Sequence, residues 1–396
     1  MTRRPLEDED LLEEILLRLP PNPSSLPRAS VVSKRCRGIV SDPEFLHRFR
    51  KHHRKPPLLG LFGPESSPGA SAFSPALDAP DRIPPERFAM PRSSSIGPDD
   101  DDDRWDVLGC RHGLAVLANA PRRAIVVWDP LTGRQRRVAF PPGLGSLPRV
   151  IYRQAAALCA DAGEGHVHGD CFSSPIKLVM VWVVVVGTQA RACVYESATC
   201  VWGDIVSTEI ITPQFFDIKP AILVGDALCW CLSGGEALTF GLETHSLGMI
   251  KKPMLTPLTD LRYGMVQLFR AENGGLGFAH LVGHTMKLWV LGSNRDGVPR
   301  WVLLQTFQLE ELLPQRAFGG RCEWARMAGY DEDTNAFILS TVIGDFTLQV
   351  DTSEIDHIIK RNGRRCHAYH PYRNFYPAGR GVGLKRLDLK VRTPEI

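Results

Sequence analysis

Apolar residues in the first fifty positions recur at helical spacing. Five of them fall at offsets of one, four, five and eight, which aligns them along one face of a helix. They are Leu11, Leu12, Ile15, Leu16 and Leu19. Asp8 and Asp10 can cap the start of this helix, and Pro20 and Pro21 end it. The pattern therefore predicts an amphipathic first helix.

Two further helices are predicted before residue 55. The second begins near Ser25, and its inward positions are Leu26, Ala29, Val32, Cys36 and Val40. Asp42 followed by Pro43 is typical of an N-cap and a first helical position, so a third helix is predicted to start there. Its inward residues are Phe45, Leu46 and Phe49. We predict a three-helix cassette over residues 1–55.

These same residues carry a resemblance. The run from Leu6 to Phe49 resembles an F-box, the segment that docks onto a Skp-type adaptor in cullin-based ubiquitin ligases. Where the family has a Trp this chain has Cys36, where it has a Cys this chain has Ser33, and its early Leu-Pro pair is missing. The resemblance implies an adaptor-binding set of Leu11, Leu12, Ile15, Leu16, Leu19, Pro20, Leu26, Val32, Phe45 and Leu46.

Residues 56–104 are predicted to be a linker rich in Pro, Ser and Asp. The stretch from 63 to 104 ends in five aspartates, Asp99–Asp103, and such a composition buries too little apolar surface to offset its ordering entropy. We predict a flexible connection without fixed contacts and without a metal site. The alternative is that residues Leu58–Phe62 supply an edge strand that closes the following domain.

After Trp105 the apolar period changes from helical to two. Apolar strands that run into polar turns begin at Ala124, Ala192, Glu236, Met286 and Asp345, at uneven intervals of tens of residues. Such recurrence predicts a β-propeller over residues 105–396, with a β-sandwich as the alternative. A further blade is predicted within Leu147–Ser174. Acidic residues follow four of the strands and can close their turns, namely Asp129, Glu196, Glu243 and Asp351.

This second region also resembles a known family. The motifs "CRHGL" with "VVWDPLTG", "VYESATCVWGD", "LVGDALCW", "GGLGFA", "GYDEDTNAFIL" and the late "YHPYRNFYPAG" are similar to the associated domain of plant, especially grass, F-box proteins. The resemblance implies a propeller-like domain that presents a target protein to the ligase. It does not imply which target is bound. The predicted fold class is therefore a small helical F-box followed by an all-β propeller-like domain.

Composition narrows the functional classes. The chain of 396 residues is 43% hydrophobic and 23% charged, which is ordinary for a globular protein. Its net charge of +3, from 47 basic and 44 acidic residues, indicates no obligate polyanion partner. Ten cysteines at irregular spacing, without a secretory leader or a span-length apolar run, predict reduced thiols and an intracellular protein of the cytoplasm or nucleus.

Candidate chemistry is sparse. Cys159, His166, His168 and Cys171 are zinc-type residues, but their separations of seven, two and three match no common zinc module. They are therefore interpreted as incidental polar side chains of a loop, with no metal or cofactor predicted. No nucleophile elbow, phosphate loop or zinc-protease helix is present, so no enzyme is predicted. His112 is interpreted as a hydrogen-bonding residue that closes a blade.

The resulting hypothesis is a non-catalytic substrate-recognition subunit of a Skp-cullin-F-box ubiquitin ligase. The helical cassette binds the adaptor, and through it the cullin scaffold, while the β domain binds an unknown protein target. Two alternatives stay open. One is a propeller interaction protein without a ligase role, and the other is a nucleic-acid-binding protein that uses the basic segment His47–Lys55.

Overall fold

The structure is a computed structural model that describes residues 9–64, 71–90, 105–144, 151–160, 166, 168–169, 171–184, 189–210, 219–254, 264–293, 298–318, 325–360, 366 and 368–376. The chain folds into two units. A helical unit contains residues 1–54 and 375–396, and a β unit contains residues 55–374. None of the helices in the described ranges is both long and apolar enough to cross a lipid bilayer.

The helical unit has four helices in its described part. They are α1 (Glu9–Leu17), α2 (Ser25–Val32), α3 (Lys34–Ser41) and α4 (Pro43–His53). Their buried side chains form one apolar cluster that contains Leu12, Leu16, Leu17, Leu26, Cys36, Val40, Phe45 and Phe49. As predicted, Asp42 caps α4, because its Oδ2 accepts a hydrogen bond of 3.1 Å from the backbone N–H of Phe45.

The predicted second helix is divided in two. Ser33 leaves the helical conformation, with φ −155° and ψ 160°, and its hydroxyl accepts a hydrogen bond of 3.0 Å from the Cys36 N–H. A serine at this place can cap a new helix, so the chain starts α3 instead of continuing α2. The prediction that Val32 is buried is wrong for this reason. Val32 ends α2 and is 77% exposed.

The helical unit also contains a residue from the far end of the chain. Phe375 is only 4% exposed and belongs to the apolar cluster of the helices. Its ring lies edge-on to Phe49, with 6.3 Å between the ring centroids. The helical core is therefore completed by a side chain more than three hundred residues away in sequence, which helical periodicity alone does not reveal.

The β unit contains 24 strands in its described part. They are β1 (Leu58–Pro64), β2 (Ser71–Pro75), β3 (Asp106–Arg111), β4 (Leu114–Asn119), β5 (Ala124–Trp128), β6 (Gln135–Ala139), β7 (Ile151–Cys159), β8 (Ile176–Val184), β9 (Gln189–Glu196), β10 (Val201–Trp202), β11 (Val206–Glu209), β12 (Ile222–Val224), β13 (Ala227–Cys231), β14 (Ala237–Gly241), β15 (Ser246–Ile250), β16 (Val266–Arg270), β17 (Leu276–Val282), β18 (Thr285–Ser293), β19 (Pro299–Gln308), β20 (Arg326–Asp331), β21 (Ala336–Thr341), β22 (Gly344–Gln349), β23 (Ile355–Lys360) and β24 (His370–Arg373). A short helix α5 (Leu309–Leu312) follows β19.

The described strands form six antiparallel sheets. Five are built from consecutive strands: blade 1 (β3–β6), blade 2 (β7–β11), blade 3 (β12–β15), blade 4 (β16–β19) and blade 5 (β20–β23). The sixth, the closing blade, has the order β2–β1–β24. The first strands of blades 1 and 2, of blades 3 and 4 and of blades 4 and 5 contact one another, and β24 contacts both β20 and β3. Blades 2 and 3 share an apolar cluster. The ring is therefore closed, and the predicted propeller-like fold is confirmed with six blades.

The closing blade joins the two ends of the β unit. β1 pairs with β2 on one side and with β24 on the other, so that Leu61 lies opposite both Ser74 and Pro371. The prediction of a further blade within Leu147–Ser174 is wrong for the described residues, because that stretch supplies β7 to blade 2. The strand near Leu58–Phe62, weighed as an alternative, is the element that closes the ring.

Part of the predicted linker makes fixed contacts. The segment from 71 to 90 contributes β2 and the 3-10 helix Pro85–Phe88. Phe73 stacks on Phe88 at a centroid distance of 3.9 Å, and both rings lie near Phe62 and Tyr372. The prediction that residues 63–104 make no fixed contact is thus wrong for 71–90. The five aspartates lie outside the described residues.

The turn after β5 confirms the prediction that an acidic residue closes the polar turn following an apolar strand. Asp129 lies just past β5, where its Oδ1 accepts from the Leu131 N–H at 3.0 Å and its Oδ2 accepts from the Thr132 hydroxyl at 2.6 Å. It closes its hairpin as expected. Asp351, which follows β22, accepts at 2.7 Å from the side-chain amide of Asn335 on the neighbouring hairpin.

Candidate functional site

The helical unit leaves apolar side chains uncovered. On α1, Leu11 is 44% exposed and Ile15 is 43% exposed, whereas Leu12 and Leu16 of the same helix are buried in the helical core. At the end of α2, Val31 and Val32 are 68% and 77% exposed. Four large aliphatic side chains left in water on so small a unit are a feature of interaction surfaces.

An open groove adjoins these residues. It has a volume of about 670 Å³ and is lined on its apolar side by Leu12, Leu16, Leu19, Ala29, Val32 and Cys36. Ser24, Ser25, Arg28, Ser33 and Arg35 form its polar part. A mostly apolar groove with a polar edge fits an apolar segment of a protein partner better than a small charged ligand.

The ten residues of the predicted adaptor-binding set fall into three groups. Leu11, Ile15, Pro20 and Val32 are exposed, Leu19 and Leu46 are half-buried, and Leu12, Leu16, Leu26 and Phe45 are buried in the helical core. The exposed group can meet a partner directly, whereas the buried group fixes the helices that present it. The single apolar face predicted for α1 is therefore divided between these two tasks.

Ion pairs fix the first helix to the last one. Arg48 of α4 lies 2.7 Å from the carboxylate of Glu13 and 3.9 Å from that of Glu14 on α1. Arg18 pairs with Glu14 at 3.3 Å within the α1 region. Because all of these groups are partly solvated, each pair contributes at most about 1 kcal/mol. Their main effect is to fix the orientation of α1 against α4, because their contribution to the free energy of unfolding is small.

We expect Cys36→Trp to stabilise the helical unit. Cys36 lies on the wall of the 670 Å³ groove, at the position where the resembling family has a Trp, so an indole can enter space that is open now. Filling such space typically gains about 0.5–2 kcal/mol. Thermal unfolding of the full chain measures the gain, and Cys200→Trp, at an exposed turn, is the control. A lower melting temperature for Cys36→Trp alone would show that the groove is already packed as tightly as the fold allows.

The β unit contains a charged cluster in which residues of several blades contact one another. Arg111, the last residue of β3, lies 2.5 Å from the carboxylate of Glu332, which follows β20. Glu332 also accepts from the Leu223 N–H of blade 3, and its backbone carbonyl accepts from Arg270 of blade 4 at 3.1 Å. Burial raises the pKa of the Glu332 carboxyl, and Arg111 opposes that rise. Residues of blades 1, 3 and 4 thus all bind Glu332 of blade 5.

Arg373 ties the closing blade to blade 5 beside this cluster. Its Nε and Nη2 both bind Asp331 Oδ2, at 2.6 and 2.5 Å, and its Nη1 donates to the Pro56 carbonyl at 2.7 Å. Asp331 is 3% exposed and also accepts from the Thr334 hydroxyl at 2.8 Å. The residues Asp331–Asp333 lie at the hairpin between β20 and β21, and Asp331 and Glu332 bind side chains of other blades there.

The four residues with zinc-type side chains come together. Each contributes one ligand atom, and these atoms all lie within 4.8 Å of one another. Cys159 Sγ lies 3.3 Å from His166 Nε2, His168 Nδ1 lies 3.2 Å from Cys171 Sγ, and Cys171 Sγ lies 3.6 Å from His166 Nε2. Sequence spacing did not predict this convergence, because Cys159 ends β7, the other three residues lie between β7 and β8, and the four do not form a compact metal-binding motif.

His112 covers this cluster. It lies in the tight turn between β3 and β4, in a left-handed conformation with φ 53°, and its ring stacks on His168 at 3.4 Å. Burial, together with the neighbouring His168, lowers the pKa of His112 to about 2. The blade-closing hydrogen bond expected from the sequence is not formed by Nδ1, which is buried without a partner among the described residues. His112 acts by stacking.

The basic segment lies on α4 and just beyond it. His47, Lys51, His52, Arg54 and Lys55 are exposed, while Phe49 in their midst is buried in the helical core. This arrangement is that of a solvated helix face. Burial lowers the pKa of His53, whose ring lies 3.1 Å from the carbonyl of Leu17.

Comparisons with known proteins agree with this division. Residues 8–48 match the F-box domain family. No curated protein matches the chain. Among solved structures, the chain is similar to the Dos1 propeller (10% identity, TM-score 0.35, 68% of this chain and 59% of that one). It is also similar to the extracellular domain of a hybrid two-component system from Bacteroides thetaiotaomicron (12% identity, TM-score 0.34, 66% of this chain).

A third similar structure is the calcium-binding protein regucalcin from Agrobacterium tumefaciens (11% identity, TM-score 0.34, 65% of this chain and 74% of that one). This chain spans only 28% of the two-component system domain and 59% of the Dos1 propeller. From the family match at residues 8–48 and the six described sheets, the chain has an N-terminal helical F-box followed by an all-β six-blade propeller-like domain.

Proposed function

We propose that this protein is a substrate-recognition subunit of a Skp-cullin-F-box ubiquitin ligase. The observation that carries the proposal is the coincidence of the F-box match at residues 8–48 with the exposed apolar side chains of α1 and α2. F-box domains bind Skp-type adaptors, so the helical unit binds the adaptor and, through it, the cullin scaffold. The motifs of the β unit further support kinship with plant F-box proteins.

The proposed role is one of proximity and not of bond-making chemistry. The helical unit fixes the protein to the ligase, and the propeller-like unit binds the target whose lysines are modified. Holding the target beside a charged ubiquitin carrier replaces a bimolecular encounter with a local one at high effective concentration. The protein itself acts as a non-catalytic adaptor, and its place of action is the cytoplasm or the nucleus.

The exposed apolar residues give this proposal a clean test. We expect Ile15→Asp and Val32→Asp each to weaken binding of a purified Skp-type adaptor by about 30-fold, which corresponds to the roughly 2 kcal/mol of an interface hot spot. Both side chains are substantially exposed, so the charge places little strain on the helical core. Isothermal titration calorimetry on the full chain measures the dissociation constant.

Val201→Asp is the matched control, because Val201 is an aliphatic residue that is 60% exposed but lies on β10 of the β unit. It is expected to bind the adaptor as the wild type does. Wild-type affinity for both Ile15→Asp and Val32→Asp would contradict the proposed docking surface. A target that binds the wild type and accumulates when Ile15→Asp replaces it would connect the two units in one function.

A further inference from the structure

We propose that Cys159, His166, His168 and Cys171 form a structural zinc site in blade 2. Two sulfurs and two imidazole nitrogens make the Cys₂His₂ donor set that Zn²⁺ takes in closed, four-coordinate structural sites. The site belongs to the β unit, whereas the proposed adaptor-binding surface belongs to the helical unit, so the proposal stands independently of that function.

The distances fit a tetrahedron. Zinc bonds of about 2.0–2.3 Å give ligand–ligand edges of about 3.3–3.8 Å in a regular tetrahedron. Three pairs of ligand atoms in the cluster are 3.3, 3.2 and 3.6 Å apart, and no pair exceeds 4.8 Å. A small inward adjustment of side chains would therefore complete the coordination shell.

The donor chemistry favours zinc over harder cations. Calcium and magnesium prefer oxygen ligands, whereas thiolate and imidazole ligands suit zinc. Two thiolates balance the charge of one Zn²⁺, which permits the site to be largely buried. Cys171 is already only 2% exposed, and the other three residues are half-buried.

The position of the cluster indicates how a bound zinc ion would stabilise the β unit. Cys159 is the last residue of β7, and Cys171 lies five positions before β8 begins, so one ion would fix both ends of the connection that joins these paired strands. The same connection is held to blade 1 by Phe172, whose ring lies 4.5 Å from the guanidinium of Arg134, and by His168, which stacks on His112. Zinc would therefore lock the first two blades together at one end of the ring.

The test measures zinc bound to the purified full chain. The protein is expressed with added zinc, purified under reducing conditions without chelator, and analysed by inductively coupled plasma mass spectrometry. We expect about one zinc per chain for the wild type and almost none for Cys171→Ser and His168→Ala. Cys200→Ser and His245→Ala replace an exposed cysteine and an exposed histidine outside the cluster, and they are expected to retain the metal.

A second measurement does not depend on the folding of the variants. Wild-type protein stripped with a chelator is titrated with Co²⁺, and a tetrahedral thiolate site gives intense visible bands together with a sulfur-to-cobalt charge-transfer band. Wild-type protein that holds no zinc and shows no such bands would overturn the proposal. Unchanged zinc content in Cys171→Ser and His168→Ala would overturn it as well, because the metal would then lie elsewhere.

Discussion

Replacing Arg373 with Met is expected to lower the free energy of unfolding of the β unit by about 3–5 kcal/mol. The loss arises because Asp331 is 3% exposed and would stay behind as a buried carboxylate without its cation. The same change removes the bond of 2.7 Å to the Pro56 carbonyl, which joins β24 to the segment that precedes β1. Chemical denaturation followed by tryptophan fluorescence measures the change.

Two further variants separate the ion pair from simple loss of a side chain. Asp331→Asn combined with Arg373→Met should recover part of the stability, since the uncompensated charge is then absent. Arg137→Met, at an exposed position on β6, is the control for removing an arginine and should change stability by less than about 0.5 kcal/mol. If Arg373→Met unfolds at the same denaturant concentration as the wild type, the closing blade is held by its strand pairing alone.

Local periodicity was sufficient to predict most of the propeller. The five apolar segments that begin at Ala124, Ala192, Glu236, Met286 and Asp345 are β5, β9, β14, β18 and β22, the third strands of the five sequential blades. These strands are visible in the sequence because each contains a run of apolar residues that are mostly buried in the β unit. Each belongs to a sheet whose partners are its neighbours in sequence, so local pattern and fold agree.

The sixth blade could not be predicted in the same way. Its central pairing joins Leu61 to Pro371, about 310 positions apart, and no local period connects two such segments. The composition of the surrounding stretch, rich in Pro and Ser, also masked the three aromatic rings of Phe62, Phe73 and Phe88. A buried aromatic in a disorder-like composition is the signal that could have revealed this sheet.

For the candidate sites, too, the sequence revealed residues that are close together in the chain but not those that the fold brings together from distant segments. The F-box residues could be predicted because they lie close together in sequence, in a stretch whose apolar residues recur at helical spacing. Ser33 divides the second predicted helix of that stretch into two. The cluster of Cys159, His166, His168 and Cys171 was recognised by residue type, but its convergence depends on how β7 and β8 pair. The Arg111–Glu332 pair joins blades 1 and 5 and gave no signal in the sequence.

A chain that begins at Trp105 is expected not to fold cooperatively, whereas a chain of residues 55–374 is expected to fold. The first lacks β1 and β2, which leaves β24 without a partner and removes the buried side chains of Leu59, Leu61, Phe62 and Phe73. Each such loss costs about 2–5 kcal/mol, and four of them match or exceed the roughly 5–15 kcal/mol by which a domain is stable. The second chain retains all six sheets of the described structure.

Circular dichroism during heating distinguishes the two fragments. Residues 55–374 should show one sharp transition near that of the β unit in the full chain, and residues 105–396 should show none. The comparison is matched because both retain blades 1 to 5 and differ mainly in the closing blade. A sharp transition in the shorter fragment at the same temperature would mean that five blades close on themselves, and that β1 and β24 attach to a ring already formed. The loss of that transition would instead make β1 and β2 part of the domain core, because β1 pairs with β24, the strand that contacts both β20 of blade 5 and β3 of blade 1.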